Sequence, residues 1–187
     1  MDLIKEGDFI LSGGIANDTS FEERLNSLIP CNFVGVDPTS TSLSHTTGLD
    51  KKLKSNYEFF NKSLAATDGS FLTCDGIKSE SVSISSLLLQ YDFSLVKLDI
   101  EGSEYEVIEA ITDFRNIKQV AVEFHHWVPS YKKTLQQTLS AIEKIKRGGF
   151  SFVFHKVNER HRKIQECLFI KKELTSLIDI DENTLID

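Results

Sequence analysis

No stretch of the 187-residue sequence comes near the roughly 20 consecutive apolar residues that a membrane-spanning helix needs. The opening residues MDLIKEGDF have neither the basic start nor the apolar core of a secretory leader, so the expected location is cytoplasmic, with no membrane partner. Cysteine is scarce: Cys31, Cys74 and Cys167 are odd in number, far apart and without a CxxC pair. That pattern argues against a zinc or dithiol site and for reduced, mostly buried thiols. Positive charge is not in excess either. A formal net charge of −7 speaks against a general nucleic-acid binder, whose affinity rests on neutralising phosphates. The basic patches KKLK (51–54), KK (132–133) and NERHRK (158–163) read as solvated loop charge. Internal repeats, low-complexity tracts and the turns GxGxxG and GxSxG are all missing.

What remains is ordinary globular usage, 40% hydrophobic and 26% charged, which excludes the disordered and membrane classes. The length fits one domain spanning 1–187. Short apolar runs alternate with helical patterns, the mark of an α/β domain with a mainly parallel sheet. DFILSGGI (8–15) reads as a first strand, and TSFEERLNSLI (19–29) as a helix with an apolar stripe of Phe21, Leu25 and Leu28. Glu22 or Glu23 would close a capping box with Thr19 or Ser20. NFVGVDP (32–38) is a second strand stopped by Pro38. The Ser/Thr-rich stretch 39–56 reads as a loop or a short helix near 48–55.

YEFFNKSLAA (57–66) reads as a third strand, followed by a turn at Asp68-Gly69, a β-like SFLTCD and a short helix at SISSLLLQY (83–91). LVKLDIEG (95–102) is apolar enough for a central fourth strand. A helix starts at Ser103, with Glu106 completing a capping box and Val107, Ile108, Ile111 and Phe114 as its apolar stripe. QVAVEFHHW (119–127) is a fifth strand, and 131–147 an amphipathic helix ended by Gly148-Gly149. FSFVFHKV (150–157) and ECLFIKKEL (166–174) have no helix between them, so they pair as an antiparallel hairpin.

In open α/β sheets the ligand site lies beyond the carboxyl ends of the strands. There the first strand ends in Gly13-Gly14, which permit close backbone approach, and the second in Asp37, about twenty residues on, where an acid can accept from ribose hydroxyls. Together they imply an adenosine-like ligand; the plainer alternative is that Asp37 caps a turn with Pro38. Alternation on the fourth strand puts Lys97, Asp99 and Glu101 on one side, and Glu123 and His125 share a side on the fifth. If the two strands are neighbours, three carboxylates and an imidazole converge, an unfavourable cluster unless protons, Lys97, a cationic ligand or a metal compensates. The bland alternative has Glu101 capping the next helix and Glu123 pairing with Lys97. His126 faces away from His125.

These residues resemble the FkbM-type family of class I S-adenosylmethionine-dependent methyltransferases. LVKLDIEGSEYEVIEAI (95–111) is the most recognisable segment, and SGGIANDTSFEERL, VGVDPT, SLAATDG and VAVEFHH follow the family's order over about residues 8–172. The resemblance implies a Rossmann-like fold, its seven-stranded, mostly parallel sheet covered by helices on both faces and ending in an antiparallel hairpin. It implies that Gly13, Gly14, Asn17 and Asp18 surround the methionine part of S-adenosyl-L-methionine, with Thr19 beside them. Asp37, followed by Pro38, would hold the ribose, Ala65 and Ala66 border the adenine, and Asp99 face the methyl donor. Ser12 and IAND depart from the commoner acid and GANxG, which puts individual first-loop contacts in question.

The function so implied is O-methyl transfer to a hydroxyl of a sugar, glycan or small metabolite. Besides Asp99, the catalytic candidates are Glu101, Glu123 and His125, with Glu123 or His125 preferred as the base. A divalent metal bound by Asp99, Glu101 and Glu123 would instead lower the hydroxyl's pKa and is the less favoured route. Trp127, Tyr131 and the loop 158–163 are the expected acceptor contacts, and a lid comes from 39–56, 127–133, 158–165 or the second subunit of a homodimer. The rival readings are a non-catalytic binding module of the same fold and a nucleotide-sugar or dinucleotide enzyme on a related α/β fold, the latter weakened by the missing GxGxxG and by the hairpin end.

Overall fold

A computed structural model describes residues 3–53, 55–72, 78–126, 131–157 and 164–177. Cys74, Trp127 and the basic loop 158–163 lie outside the described residues. The first half of the chain forms β1 (Phe9–Gly13), α1 (Ser20–Leu28), β2 (Asn32–Val36), α2 (Ser40–Thr46), α3 (Leu49–Lys52) and β3 (Tyr57–Phe60). Next come β4 (Ser63–Ala65), β5 (Gly69–Leu72), β6 (Lys78–Ser83), α4 (Ile84–Gln90), β7 (Phe93–Leu98) and α5 (Glu104–Ala110). The chain continues through β8 (Gln119–Phe124), α6 (Leu135–Arg147), β9 (Phe150–Val157) and β10 (Gln165–Lys171) to a 3-10 helix, Lys172–Leu177.

Seven strands form one sheet in the order β3-β2-β1-β7-β8-β10-β9, parallel except for β10, which runs antiparallel to both neighbours. The hairpin is as the sequence indicates, and the fourth and fifth sequence strands, β7 and β8, are neighbours, which meets the condition for their acids to converge. On one face Leu11, Val34, Val96, Leu98, Val120 and Val122 pack against Ile84 and Leu87 of α4, Val107 and Ile108 of α5, and Ala141 and Ile145 of α6. On the other, Ile10, Phe33 and Leu95 pack with Leu49 and the half-buried Phe21 and Leu25 of α1. Strand order reverses between β1 and β7, the switch point where open α/β sheets bind ligands.

Several sequence expectations fail for local reasons. The run 57–66 is two strands: the chain turns at Asn61-Lys62, where Asn61 Nδ2 donates to Asp37 O at 3.0 Å, and β4 leaves the main sheet to pair with β6. Strands β4, β6 and β5 make a small second sheet, and the Ser-rich β6 was not foreseen from its sequence. The stretch 39–56 holds two helices, α2 capped by the Thr39 side chain accepting from Ser42 N. Helix α6 starts at Leu135 rather than 131, because Thr134 and Gln137 form a reciprocal capping box.

Helix α1 keeps Phe21 and Leu25 of its expected stripe but not Leu28. Leu28 is 63% exposed, whereas Glu22 and Asn26 are buried. Beneath the helix, β1 and β2 offer Ser12 and Gly35, so the inward carboxylate of Glu22 accepts from the Ser12 hydroxyl and Asn26 donates to Cys31 O. The expected capping box is absent as well: the Thr19 hydroxyl donates to Glu23 Oε1 at 2.9 Å, and Asp18 Oδ1 accepts from Ser20 N.

Two contacts set the loop after β1. Gly14 has φ +79°, and a Cβ there would lie 1.7 Å from the Asp99 carbonyl oxygen, so glycine is required by the chain itself. Asp37, buried at the end of β2, accepts from Ile15 N and Ala16 N at 2.8 and 2.9 Å on one oxygen, and from Thr39 N, Thr39 Oγ1 and Ser42 Oγ on the other. Burial opposes its charge, yet these bonds from Thr39, Ala16 and Ile15 hold the carboxyl below the usual aspartate range.

Gly14→Ala is expected to cost about 3 kcal/mol, read as a drop in Tm of about 6–12 °C. An unchanged Tm would show that the loop does not need this approach. Asp37→Asn is expected to lose about 2 kcal/mol near neutral pH, as charge-assisted bonds are weakened. Because the folded carboxyl titrates below its unfolded value, this stability is present above the unfolded pKa and fades as pH falls through the folded one. The Tm gap between wild type and variant therefore narrows below about pH 4, and a gap independent of pH would remove the ionised Asp37 from the account.

Candidate functional site

The loop after β1, the end of β2 and the end of β7 enclose a cavity of about 470 Å3, within the roughly 300–1,000 Å3 usual for small-molecule sites. Gly14, Ile15, Ala16 and Asp18 line one side, with Ser20 and Phe21 of α1. Asp37, Pro38 and Thr39 form a second wall, and Lys97, Asp99, Ile100 and Glu101 a third. Val36, Ser63, Leu64, Ser103 and Tyr131 complete it. A neighbouring cavity of about 370 Å3 shares Glu101, Ser103 and Tyr131 with the first and is walled further by Ala65, Ala66, Phe71 and Lys133.

The expected residues are distributed between these spaces. Gly14, Asp18, Asp37, Pro38 and Asp99 reach the larger cavity; Gly13 lies under it, where a Cβ would meet Leu64 at 2.8 Å. Asn17 and Thr19 are not on its wall, and Ala65 and Ala66 face the smaller cavity instead, because Ser63 and Leu64 precede them on β4. Asp37 has its acceptor sites taken by five bonds from the chain, about as many as a carboxylate offers.

The acidic cluster assembles, but not by strand alternation. Strand β7 ends at Leu98, after which Asp99 N donates to Gly13 O at 3.0 Å. Glu101 at φ +51° and Gly102 at φ +95° then fold the chain back, with Tyr131 packed against Gly102. Neither Ser103 nor Glu106 caps α5: Glu106 pairs with Lys133, and Glu104 accepts from Gly102 N at 2.8 Å. Glu104 is fully buried and also accepts from His125 N at 2.9 Å, with His125 Nδ1 at 3.1 Å.

This link, missed from sequence, orients the imidazole. An acid in the first turn of a helix, just after a glycine, was the signal available for it. The other ring nitrogen of His125 lies 3.6 Å from Glu101 Oε2 and 3.9 Å from Asp99 Oδ1, and Tyr131 OH donates to Glu101 at 2.5 Å. Lys97 does not pair with Glu123: it donates to Gly14 O at 2.8 Å and sits 4.0 Å from Asp99.

Charge in the cluster is unevenly spread. Burial disfavours a charged His125, but the bond to Glu104 and the charges of Glu104, Glu101 and Asp99 outweigh it and raise the ring to about 9. Burial, then the charge and hydrogen bond of Asp99, push Glu123 up to about 7 despite the opposing His125. Near neutral pH the imidazole is therefore held towards its protonated form and Glu123 towards its neutral one. Cys31 and Cys167 are buried free thiols, as expected, and burial raises both.

Among the described residues no helix is long and apolar enough to cross a membrane. Comparison of the fold finds similar solved structures with methyltransferase descriptions. A protein from Clostridium thermocellum described as a putative rRNA-methylase aligns over 90% of this chain and 90% of its own at 12% identity, with a TM-score of 0.55. Precorrin-6y C5,15-methyltransferase from Geobacter metallireducens GS-15 aligns over 90% and 82% at 14% identity and 0.54. Aeropyrum pernix fibrillarin, crystallised with natively bound S-adenosyl-L-methionine, aligns over 89% and 67% at 12% identity and 0.52. At these identities the likeness establishes the Rossmann-like class I methyltransferase fold. No curated protein sequence matches the chain. Residues 14–167 match the methyltransferase FkbM domain, so the chain belongs to the FkbM family of S-adenosylmethionine-dependent methyltransferases.

Proposed function

We propose that the protein transfers a methyl group from S-adenosylmethionine to a hydroxyl of a sugar, glycan or small metabolite. The observation that carries this reading is an acid–base cluster, Asp99, Glu123 and His125, abutting a cavity at the sheet's switch point. The cavity suits the cofactor by its donor set: Pro38, Leu64 and Ile100 offer apolar surface to a flat base, and Asp18, Asp99 and Glu101 offer negative charge to a cation. Asp37 shapes the ribose wall by holding Thr39 and Ala16 in place, rather than by giving up its own filled oxygens. The second cavity, beyond Tyr131 and Glu101, is the acceptor's place, and its Phe71 and Lys133 offer a ring face and a donor to a hydroxylated molecule.

When bound, S-adenosylmethionine supplies an electrophilic methyl group on a sulfonium. Holding the hydroxyl in line with that carbon provides much of the acceleration. Held in the cavity lined by Asp18, Asp37 and Asp99, the cofactor would give up its methyl carbon and keep the bonding pair as a thioether, while the acceptor's hydroxyl proton would pass by way of Asp99 to its hydrogen-bond partner Glu123. A base with a pKa close to the working pH suits that last transfer. His125, protonated, steadies the Asp99 carboxylate beside it.

Calorimetric titration with S-adenosylhomocysteine tests the first half. The wild type binds, and Ser20→Trp, an exposed wall position that the larger ring would use to fill the cavity, weakens binding about tenfold or more. No binding by folded wild-type protein would overturn the cofactor reading. Methyl transfer to a panel of monosaccharides tests the second half. Glu123→Gln is expected to keep S-adenosylhomocysteine affinity and lower transfer by about 10²–10⁴-fold, whereas an undiminished rate would remove Glu123 as the base.

A further inference from the structure

We propose that Asp99, Glu101 and His125 hold one divalent metal ion at the junction of the two cavities. Each offers one ligand atom, and the three atoms lie within 4.8 Å of one another. Carboxylates alone would be weak grounds; the imidazole supplies the independent observation. His125 is 1% exposed, and its Nδ1 is taken by the wholly buried Glu104. Its Nε2 carries a proton in the metal-free protein and points between two carboxylates at 3.6 and 3.9 Å, and a bound ion takes the place of that proton. Direct charge-assisted bonds would close to about 2.7–2.9 Å. Ligands of one metal ion, each about 2.0–2.2 Å from it, stand about 3–4 Å apart instead.

The surroundings fit the same reading. A metal-ligating histidine almost always gives its other ring nitrogen to a carboxylate or carbonyl, which is the position Glu104 fills. Glu101, at a left-handed backbone position, stays exposed on the cavity side and is steadied by the Tyr131 hydroxyl. The nearest lysine, Lys97, is spent on Gly14 O and stays 4.0 Å from Asp99. The ligand set differs from the three carboxylates expected from sequence, since Glu123 sits behind Asp99 as its hydrogen-bond partner. Two carboxylate oxygens with one imidazole, and no thiol, match a cation between hard and borderline, with Mn2+ the best probe. Positions on the cavity side stay open to water or to an acceptor oxygen, whose proton the ion would loosen. That catalytic consequence rests on the methyl-transfer reading; the binding does not.

The experiment is a titration of chelator-treated, dialysed full chain with Mn2+, following the electron paramagnetic resonance signal of the free ion. One equivalent is expected to bind, and Asp99→Asn and Glu101→Gln each weaken it by about tenfold or more. Glu101 is exposed, so its variant keeps the fold, which a thermal melt verifies. Glu109→Gln, an exposed acid on the outer side of α5, leaves binding unchanged. Absence of a stoichiometric site, or binding indifferent to both variants, overturns the proposal. Titration with S-adenosylhomocysteine in the presence of chelator separates the two ideas: cofactor binding without Mn2+ binding defeats the metal site alone, and the converse defeats the methyltransferase cofactor alone.

Discussion

The buried carboxylate of Glu104 holds together the two strand ends on which the rest of the site depends. Its oxygens take the Gly102 amide, the His125 amide and the His125 ring, so one side chain joins the turn after β7 to the end of β8. A charge with no exposure is tolerable only when its acceptor sites are filled, and here two come from backbone that has left its strands. Breaking such a pair typically costs about 3–5 kcal/mol, because the remaining partner is left buried and unmatched. The turn thus fixed carries Asp99 and Glu101, and the imidazole thus fixed faces them. Site geometry and local stability are therefore the same interaction.

A second carboxylate plays the corresponding part on the other side of the crevice. Asp37 gathers the first-loop amides and the start of α2 around itself, so the wall facing β7 is built before any ligand arrives. Gly14 completes the closure by letting the loop backbone touch the Asp99 carbonyl. The glycine pair read from sequence as room for a ligand is thus largely room for the chain. A preorganised wall loses less freedom on binding, which favours affinity without further contacts.

Much of the architecture was legible because it rests on pattern. The apolar runs of β1, β2, β7 and β8, the helix-free connection between β9 and β10, and the stripe of Val107, Ile108, Ile111 and Phe114 each give a periodic or compositional signal. The site was legible only as a list of acids near strand ends. Alternation brought Asp99 and Glu101 to the right place for the wrong reason, since the strand stops at Leu98 and a turn at positive φ completes the approach. Glu106 drew attention as a capping residue, yet Glu104 does the work, because three-dimensional proximity to His125 decides between two equally acidic neighbours. The inward face of α1 was read only in part, at Phe21 and Leu25, for a related reason: a helix over Ser12 and Gly35 can bury Glu22, and that depends on what lies opposite, which periodicity does not report.

The electrostatics of the cluster bear on whether the fold works as a catalyst or only as a holder of its ligand. A binding module gains nothing from gathering Asp99, Glu101, Glu104 and Glu123 around one imidazole, since each added carboxylate raises the cost of keeping the others ionised. The cost is visible in Glu123, pushed up to about 7, and in His125, raised to about 9 to supply the balancing proton. Glu104 is explained by structure alone, as the bond between two strand ends. Carboxylates gathered beside a cavity at that electrostatic cost are the arrangement that proton transfer or metal binding requires and that packing does not.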